Sequence, residues 1–300
     1  MRINPLSVLA SSSRRPLAIV SGGSSGIGLA CAERMVERGA AVAILARDPV
    51  RLEAARARLR AKVPGADVIA LSVDVRDRNA CAAAVDEVVA ARGAPDWLIA
   101  SAGIAEPGLF LEQPLDRHEE HWRSNYLGSL HLAHAAARHM AKAGGGRMIF
   151  VASGAALFGI YGYAAYSSSK FAVRGLAEVL RVELAPHGIS VTLAYPPDTD
   201  TPQLAAERLT KPAATSEITE GGGVWAADAV AERILRAAAR NAFTVAPGWR
   251  LTLAAWLHSL ISPSLRRMQL KIVMKGSRAP GARRAPSTVS ADRSEIGPGQ

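Results

Sequence analysis

Residues 17–28 read Leu-Ala-Ile-Val-Ser-Gly-Gly-Ser-Ser-Gly-Ile-Gly, an apolar run followed directly by a glycine-rich turn. The apolar run predicts a buried strand over 17–21, and the periodicity of 27–38 predicts a helix that ends before Gly39. Clustered glycines between a strand and a helix let backbone N–H groups and the positive helix end approach a pyrophosphate. The stretch therefore predicts a dinucleotide-binding turn; a plain strand-to-helix connection is the alternative.

The same alternation of strand and helix patterns continues along the chain. Apolar runs predict strands at 41–46, 68–73, 97–100, 147–152 and 190–194, with helices between them. Strands separated by helices form parallel units with right-handed crossovers. We therefore expect an α/β fold, a Rossmann-type doubly wound parallel sheet in a single domain with a C-terminal helical and basic extension. The polar stretch from Pro196 to about Gly223 predicts a loop, and 226–240 a further helix.

Composition and charge limit the class of protein. The 300 residues are 49% hydrophobic and 21% charged, and the two cysteines, Cys31 and Cys81, lie far apart. The high apolar content excludes a disordered chain, and the two separated cysteines exclude a disulfide scaffold and favour a reducing compartment.

The net charge of +10 is concentrated at the C-terminus, because residues 247–300 hold nine basic and two acidic residues. We expect no nucleic-acid partner, since the C-terminal arginines lack interleaved aromatic residues.

Four segments are expected along the chain: an N-terminal extension (1–15), the Rossmann domain (16–246), an apolar and basic helical segment (247–275) and a disordered tail (276–300). The apolar patch at 6–10 is too short for the core of a signal peptide, so a cytoplasmic location is expected.

Several of the seven histidines lie in one helical region, but packing within the helix or exposure to solvent accounts for histidines there. We therefore expect no metal site.

Tyr166 and Lys170 are four residues apart, so on a helix their side chains are neighbours. A ketone that accepts a hydride also needs a proton on its oxygen, and an ordinary tyrosine with a pKa of about 10 is a poor participant near neutral pH. A nearby ammonium favours the phenolate, so we expect Lys170 to lower the pKa of Tyr166. The pair predicts acid catalysis of carbonyl reduction.

These motifs resemble the short-chain dehydrogenase/reductase family, in the glycine spacing Gly-x-x-x-Gly-x-Gly and in Tyr-x-x-x-Lys. The resemblance implies that Ser153 binds the substrate carbonyl, that Asn125 completes a proton relay and that the enzyme is a homodimer or homotetramer. It departs at Ser101, where the family usually has asparagine, and at Pro197, where it has glycine. The expected cofactor contacts come from the glycine turn and from later strand ends: Gly22, Ser24, Ser25, Gly26, Ile27, Gly28, Arg47, Asp74, Val75, Ala102, Gly103, Tyr166, Lys170, Pro196 and Thr201.

Arg47 decides which cofactor is expected. It follows the second strand, where an acidic residue would bind the ribose of NAD, and an arginine there can pair with a 2′-phosphate. We therefore expect NADPH. The alternative is that Arg47 is only an exposed residue opening the next helix, because Asp48 is adjacent.

Four stretches resemble the 3-ketodihydrosphingosine reductases within that family. They are Pro-Pro-Asp-Thr-Asp-Thr-Pro at 196–202, Glu-Arg-Leu-Thr-Lys-Pro at 207–212, Ile-Thr-Glu at 218–220 and Phe-Ala-Val-Arg-Gly-Leu-Ala-Glu at 171–178. The resemblance implies NADPH-dependent reduction of the 3-keto group of 3-ketosphinganine, a long-chain keto amino lipid, to dihydrosphingosine in sphingolipid synthesis. Reduction of another apolar ketone, such as a 3-oxoacyl thioester or a sterol, is the first alternative. A non-catalytic nucleotide-sensing protein is the second.

The segment 249–275 places tryptophans and aliphatic residues before a basic cluster, including Trp249, Trp256, Arg266, Arg267 and Lys271. Indoles beside basic residues suit the surface of an anionic membrane. The uncharged run 251–265 is too short to span a bilayer. We expect peripheral contact with the cytoplasmic face of a membrane; a helix that packs on the core or on a second copy is the alternative.

Overall fold

The computed structural model describes residues 15–219 and 223–277. Its strands are β1 (Leu17–Ser21), β2 (Ala41–Ala46), β3 (Val68–Ser72), β4 (Trp97–Ala100), β5 (Gly146–Val151), β6 (Ile189–Ala194), β7 (Thr199–Asp200), β8 (Trp225–Ala226) and β9 (Thr244–Val245). Its helices are α1 (Gly26–Glu37), α2 (Pro49–Lys62), α3 (Arg78–Arg92), α4 (Leu115–His121), α5 (Gly128–Lys142), α6 (Ala164–Glu183), α7 (Pro202–Thr210), α8 (Ala213–Thr219), α9 (Ala227–Ala239) and α10 (Trp249–Ser277).

Seven strands form one parallel sheet in the order β3-β2-β1-β4-β5-β6-β9. The order reverses between β1 and β4, and in such sheets ligands bind in the crevice outside the carboxyl ends of the strands at this reversal. The expected Rossmann-type doubly wound sheet is confirmed. The glycine turn after β1 lies at the reversal and opens into α1.

Two apolar layers cover the sheet because neighbouring residues of each strand point to opposite faces. In β1, Leu17 and Ile19 pack with α3, α5 and α6, whereas Ala18 and Val20 pack with α1, α2 and α9. All four side chains are fully buried. Burial on both faces explains why the strands read as continuous apolar runs rather than as alternating ones.

The predicted loop from Pro196 to about Gly223 is wrong for most of its length, because α7 and α8 lie within it. The start of α7 carries a helix signal: the Thr201 side chain accepts a hydrogen bond from the Leu204 amide at 3.2 Å, and Pro202 occupies the first turn. Strand β9 was also missed, since it pairs with β6 through two residues only.

Helix α10 packs across the site rather than standing apart from the fold. The buried side chain of Gln269 connects α10 to the loop before α6 through two hydrogen bonds. It accepts one from the Tyr161 amide at 2.8 Å and donates one to the Gly159 carbonyl at 3.0 Å. The helix is kinked at Leu257 and contains Pro263. Among the described residues, no helix is both long enough and apolar enough to cross a membrane.

The predicted terminal segments fall mostly outside the described residues. Residues 1–14 of the expected extension and 278–300 of the expected tail lie outside the described residues. The division of the chain at 246 and at 275 remains a prediction, and α10 extends through Ser277.

Candidate active site

Tyr166, Lys170 and Ser153 meet at the carboxyl end of β5. Tyr166 and Lys170 lie in the first two turns of α6, and both are buried. The Lys170 ammonium donates to the Val151 carbonyl at 3.0 Å and lies 5.7 Å from the centroid of the Tyr166 ring. Ser153 follows β5 at the start of a short 3₁₀ turn, and its side chain is hydrogen-bonded to Tyr166. A phenol, an ammonium and a hydroxyl therefore lie close together in the wall of one cavity.

Burial dominates the electrostatics of this group. It raises the pKa of Tyr166, and the Glu207 carboxylate raises it further, whereas the Ser153 hydrogen bond acts in the opposite direction. Burial also lowers the pKa of Lys170 to about 8. The expectation that Lys170 brings the pKa of Tyr166 below its usual value is therefore wrong for this arrangement, and the phenol holds its proton at neutral pH.

Asn125 lies in a π-helical turn, Trp122–Leu127, between α4 and α5. Its fully buried side chain accepts from the Ile104 amide at 2.8 Å and donates to the Ile104 carbonyl at 3.0 Å and to Ser169 Oγ at 2.9 Å. A Cβ atom placed on Gly103 would lie 2.8 Å from Asn125 Oδ1 and 3.4 Å from Lys170 Nζ, so both atoms face this glycine. Asn125 thus fixes the loop after β4 beside Lys170.

The glycine turn after β1 fits a pyrophosphate. Gly22 has a φ of 67°, and a Cβ atom on Gly28 would lie 2.4 Å from the Gly22 carbonyl oxygen, so the turn is built on glycine. At the N-terminus of α1, Ser25 makes no side-chain cap and the first turn has no acidic residue. Free N–H groups and the positive helix end therefore face the crevice, as an anionic ligand requires.

The carboxyl ends of β2 and β3 fit a second phosphate. Arg47 is exposed after β2, while Asp48 caps α2 by accepting from the amides of Val50 and Arg51. Burial of Asp74 raises the pKa of its carboxyl, but hydrogen bonds from Arg76 outweigh this and hold the pKa below its usual range. Both neighbouring carboxylates have other hydrogen-bond partners, and the Arg47 charge helps to hold the pKa of Asp74 down.

The loop after β4 is tied to β1 in an unexpected way. Ser101 stands where the resemblance leads one to expect asparagine, and the link comes instead from the buried Ser21, whose Oγ accepts from the Ser101 amide at 3.1 Å and the Ala102 amide at 3.2 Å. This bond anchors the loop without a long side chain at 101.

One cavity of about 940 Å³ joins the glycine turn to Tyr166 and continues under α10. Its far part is apolar, with Phe158, Ile160, Leu204, Leu251 and Leu265 among its walls. Tyr166, Lys170 and Ser153 line the same cavity as the glycine turn and these apolar residues. The arrangement can deliver a proton to a carbonyl whose substituent is a long apolar group.

Comparison with known proteins agrees with this geometry. A profile of the family described as short chain dehydrogenase matches residues 16–212. The 3-dehydrosphinganine reductase of Danio rerio is 40% identical over 230 residues, which cover 75% of this chain and 69% of that protein. The 3-ketodihydrosphingosine reductase of Mus musculus is 38% identical over 245 residues, 79% of this chain and 74% of that protein.

This chain belongs to the short-chain dehydrogenase family. A crystal structure of L-sorbose reductase from Gluconobacter frateurii, complexed with NADPH and L-sorbose, superimposes with a TM-score of 0.70 at 25% identity, covering 78% of this chain and 96% of that one. Both resemblances expected from the motifs, to the family and to its 3-ketodihydrosphingosine reductases, are thereby confirmed.

The predicted site residues of this short-chain dehydrogenase fall into two groups. Most line the cavity: Gly22, Ser25, Gly26, Ile27, Ala102, Gly103, Ser153, Tyr166, Lys170, Pro196 and Thr201. The others are outside its wall: Ser24, Gly28, Arg47, Asp74, Val75 and Asn125. Gly28 packs against the glycine turn, and Asn125 packs against Gly103 in the loop after β4. Arg47 and Asp74 follow the neighbouring strands β2 and β3. The individual roles stay predictions.

Sequence reasoning missed a polar cluster at the far side of Tyr166. Tyr163 donates from its hydroxyl to Glu207 Oε2 at 2.8 Å, and Gln203 donates to Glu207 Oε1 at 3.0 Å. Tyr163 precedes Tyr166 by one helical turn, and Gln203 and Glu207 are four apart on α7. That spacing was visible in the sequence, but it gained meaning only once 202–210 was known to be a helix.

His121 was also missed as a support of the site. It is fully buried, approaches the Tyr166 ring edge-on at 6.4 Å between centroids, and accepts from the Glu106 amide at 3.0 Å. Burial lowers the pKa of its imidazole, so it is neutral and holds the loop after β4. Within residues 15–219 and 223–277, no three His, Cys, Asp or Glu side chains cluster as metal ligands.

Proposed function

We propose that this short-chain dehydrogenase reduces the 3-keto group of 3-ketosphinganine to dihydrosphingosine with NADPH. The observation that carries the proposal is the single cavity in which Tyr166, Ser153 and Lys170 separate a phosphate-binding turn from an apolar pocket. Its support is the identity of about two fifths to the 3-dehydrosphinganine reductase of Danio rerio over most of both chains. A long-chain ketone has the shape that this cavity accepts.

In the proposed mechanism, NADPH when bound supplies the hydride to the carbonyl carbon. Tyr166 transfers its phenolic proton to the carbonyl oxygen, which Ser153 orients through a hydrogen bond. The O–H bond of the phenol breaks as that of the product alcohol forms, and solvent then returns a proton to Tyr166. The raised pKa of Tyr166 keeps the proton on the phenol before the reaction but makes the phenol a weaker acid, so proton transfer depends on stabilisation of the phenolate by its neighbours.

Lys170 and Asn125 have supporting roles in this proposal. With a pKa of about 8, Lys170 is mostly an ammonium at neutral pH, and it stabilises the phenolate left on Tyr166. Its position also suits a contact with the nicotinamide ribose. Asn125 is a positioning residue, which holds the β4 loop and Gly103 beside Lys170.

The remaining predicted residues would hold the cofactor. The turn residues, with Ser24 and Gly28, would hold the pyrophosphate at the N-terminus of α1, and Arg47 would pair with the 2′-phosphate. Asp74 and Val75 would border the adenine. Pro196 and Thr201 would border the nicotinamide, since Thr201 lies opposite Gly26, where an added Cβ would be 3.0 Å from its methyl group.

The test is NADPH oxidation with a panel of ketones: 3-ketosphinganine, a β-ketoacyl thioester and a sterol ketone. We expect 3-ketosphinganine to give the highest kcat/KM, and Tyr166→Phe to lose nearly all turnover while binding NADPH as the wild type does. Reduction of the thioester but not of 3-ketosphinganine would contradict the substrate. NADPH binding without turnover of any ketone would favour the nucleotide-sensing alternative.

We also propose that α10 contacts the cytoplasmic face of an anionic membrane. One side of the helix covers the cavity, and the other exposes apolar side chains, with Trp256 80% and Leu260 76% exposed. Basic residues follow at 266, 267, 271 and 275, and each contributes about 1 kcal/mol near an anionic surface. A lipid substrate could then enter the cavity beside this helix.

The test of membrane contact is co-sedimentation with phosphatidylserine vesicles. Binding that weakens with salt and with Trp256→Ser supports the proposal, and equal recovery with neutral vesicles or with DNA contradicts it. The matched control is Trp122→Ser, which removes an exposed indole far along the chain from α10.

A homodimer or homotetramer is proposed through α6. Phe171, Val179 and Val182 are exposed apolar residues on this helix, and Gly175 lies between them with nothing within 4 Å of an added Cβ. A second copy would cover this stripe. Light scattering tests it: Val182→Glu should lower the molar mass in solution, and an unchanged mass would place the interface elsewhere.

A further inference from the structure

Glu207 is a buried carboxylate in the cavity wall that the proposed proton transfer does not use. Its side chain is 8% exposed, and burial raises its pKa despite the hydrogen bonds from Gln203 and Tyr163. Both donors are neutral groups. Burying a carboxylate without a cation in contact costs free energy, and such groups are often retained for ligand binding.

The lysines whose charges act on Glu207 have other partners. Lys211, at the end of α7, has its ammonium 3.8 Å from the Asp198 carboxylate and 5.7 Å from the centroid of the Tyr163 ring. It therefore pairs with Asp198 and acts on Glu207 only at longer range. Arg250, which also borders the cavity, lies at its exposed surface. Lys170 also acts on Glu207 through its charge, but its ammonium donates to the Val151 carbonyl. A ligand ammonium could therefore contact the Glu207 carboxylate directly, which neither lysine does.

The position of Glu207 matches the position of such an ammonium. Tyr163 connects Glu207 to the reacting centre, because its hydroxyl binds the carboxylate and its ring lies 5.4 Å from that of Tyr166. In 3-ketosphinganine the amino group is on the carbon next to the carbonyl. When the carbonyl oxygen lies at Tyr166 and Ser153, the ammonium falls on a neighbouring site, within the same part of the cavity.

We propose that Glu207 binds the ammonium group of the amino-ketone substrate and that Tyr163 holds the carboxylate in place. The inference rests on the proposed function and deepens it: it makes the positive charge next to the ketone a specificity determinant. An N-acylated or deaminated ketone of the same chain length lacks the charge and gains nothing from Glu207. Truncating one partner of such a buried charge pair weakens binding strongly.

The experiment compares 3-ketosphinganine with its N-acetyl derivative, which keeps the ketone and the chain but is neutral. We expect Glu207→Gln to raise the KM for 3-ketosphinganine tenfold or more and to change the KM for the N-acetyl ketone less than twofold. Glu178→Gln is the matched control, because Glu178 is an exposed glutamate on α6 that pairs with Arg174. Glu178→Gln should leave the KM for both ketones unchanged.

The outcomes separate this inference from the proposed function. If the wild type reduces a β-ketoacyl thioester but neither sphingoid ketone, the proposed function fails and the inference with it. If the wild type reduces 3-ketosphinganine and Glu207→Gln changes the KM for both sphingoid ketones equally, or changes neither KM, the inference alone is overturned. Should Glu207→Gln lose NADPH binding, Tyr163→Phe decides: a KM increase confined to the amine supports the proposal, and an equal change contradicts it.

Discussion

Replacement of Arg47 by alanine tests the cofactor end of the site. Arg47 is exposed at the end of β2, and the two nearest carboxylates in sequence and fold are already engaged, Asp48 as the cap of α2 and Asp74 with Arg76. The Arg47 charge acts on Asp74 through its electrostatic attraction, so a phosphate would compete with that attraction for the guanidinium. A hydrogen bond to a charged group contributes about 1.5–3 kcal/mol, and solvent exposure places this one at the lower end.

About 1.4 kcal/mol corresponds to a tenfold change in an equilibrium constant. We therefore expect Arg47→Ala to raise the Kd for NADPH about tenfold and to leave the Kd for NADH within twofold, measured by the fluorescence of the reduced nicotinamide. Arg56→Ala is the control, since it removes one positive charge from the same helix region while Arg56 pairs with Glu53. Equal weakening of both cofactors, or unchanged NADPH binding, would refute the 2′-phosphate contact.

Three further predictions concern stability and the covering helix. Ser21→Ala removes the acceptor of the Ser101 and Ala102 amides, so the free energy of unfolding should fall by about 1–3 kcal/mol in urea titrations; an unchanged midpoint contradicts the anchor. Gln269→Ala should speed limited proteolysis within α10, and a wild-type cleavage rate would show that apolar packing alone holds the helix. Because the pKa of Lys170 is lowered from 10.5 to about 8, the folded state binds fewer protons than the unfolded one above pH 8. The free energy of unfolding should therefore increase as pH rises from 8 towards 10, and this increase should be absent in Lys170→Met.

The central sheet could be predicted because its strands are buried on both faces. Strands β1, β2 and β4 have the predicted bounds, since apolar runs there end at glycine or polar residues. The proximity of Tyr166 and Lys170 could be predicted for a similar reason, because side chains four residues apart on a helix are neighbours. Both inferences depend on local sequence, which specifies where a strand or helix lies and which of its side chains are neighbours.

The polar cluster and the role of α10 could not be predicted in this way. Glu207 faces the cavity because α7 packs over it, and the contact with Tyr163 joins residues 44 apart in the chain. Apolar residues lie around most of α10, so periodicity did not show that Leu251 and Leu265 border the cavity while Trp256 is exposed. Such orientations are set by long-range packing, of which a single sequence carries little trace.

The pKa of Tyr166 shows why residue type and spacing do not settle a site's electrostatics. A lysine four residues along a helix predicts a lowered pKa, yet the Lys170 ammonium donates to the Val151 carbonyl, and burial of the phenol raises the pKa of Tyr166. A buried phenol next to the Glu207 carboxylate keeps its proton, which suits a donor in ketone reduction and opposes the base needed for alcohol oxidation. An ammonium ligand at Glu207 would offset the carboxylate that raises this pKa. Binding of the amine would then make Tyr166 a stronger acid, so substrate recognition and proton transfer would be coupled through one carboxylate.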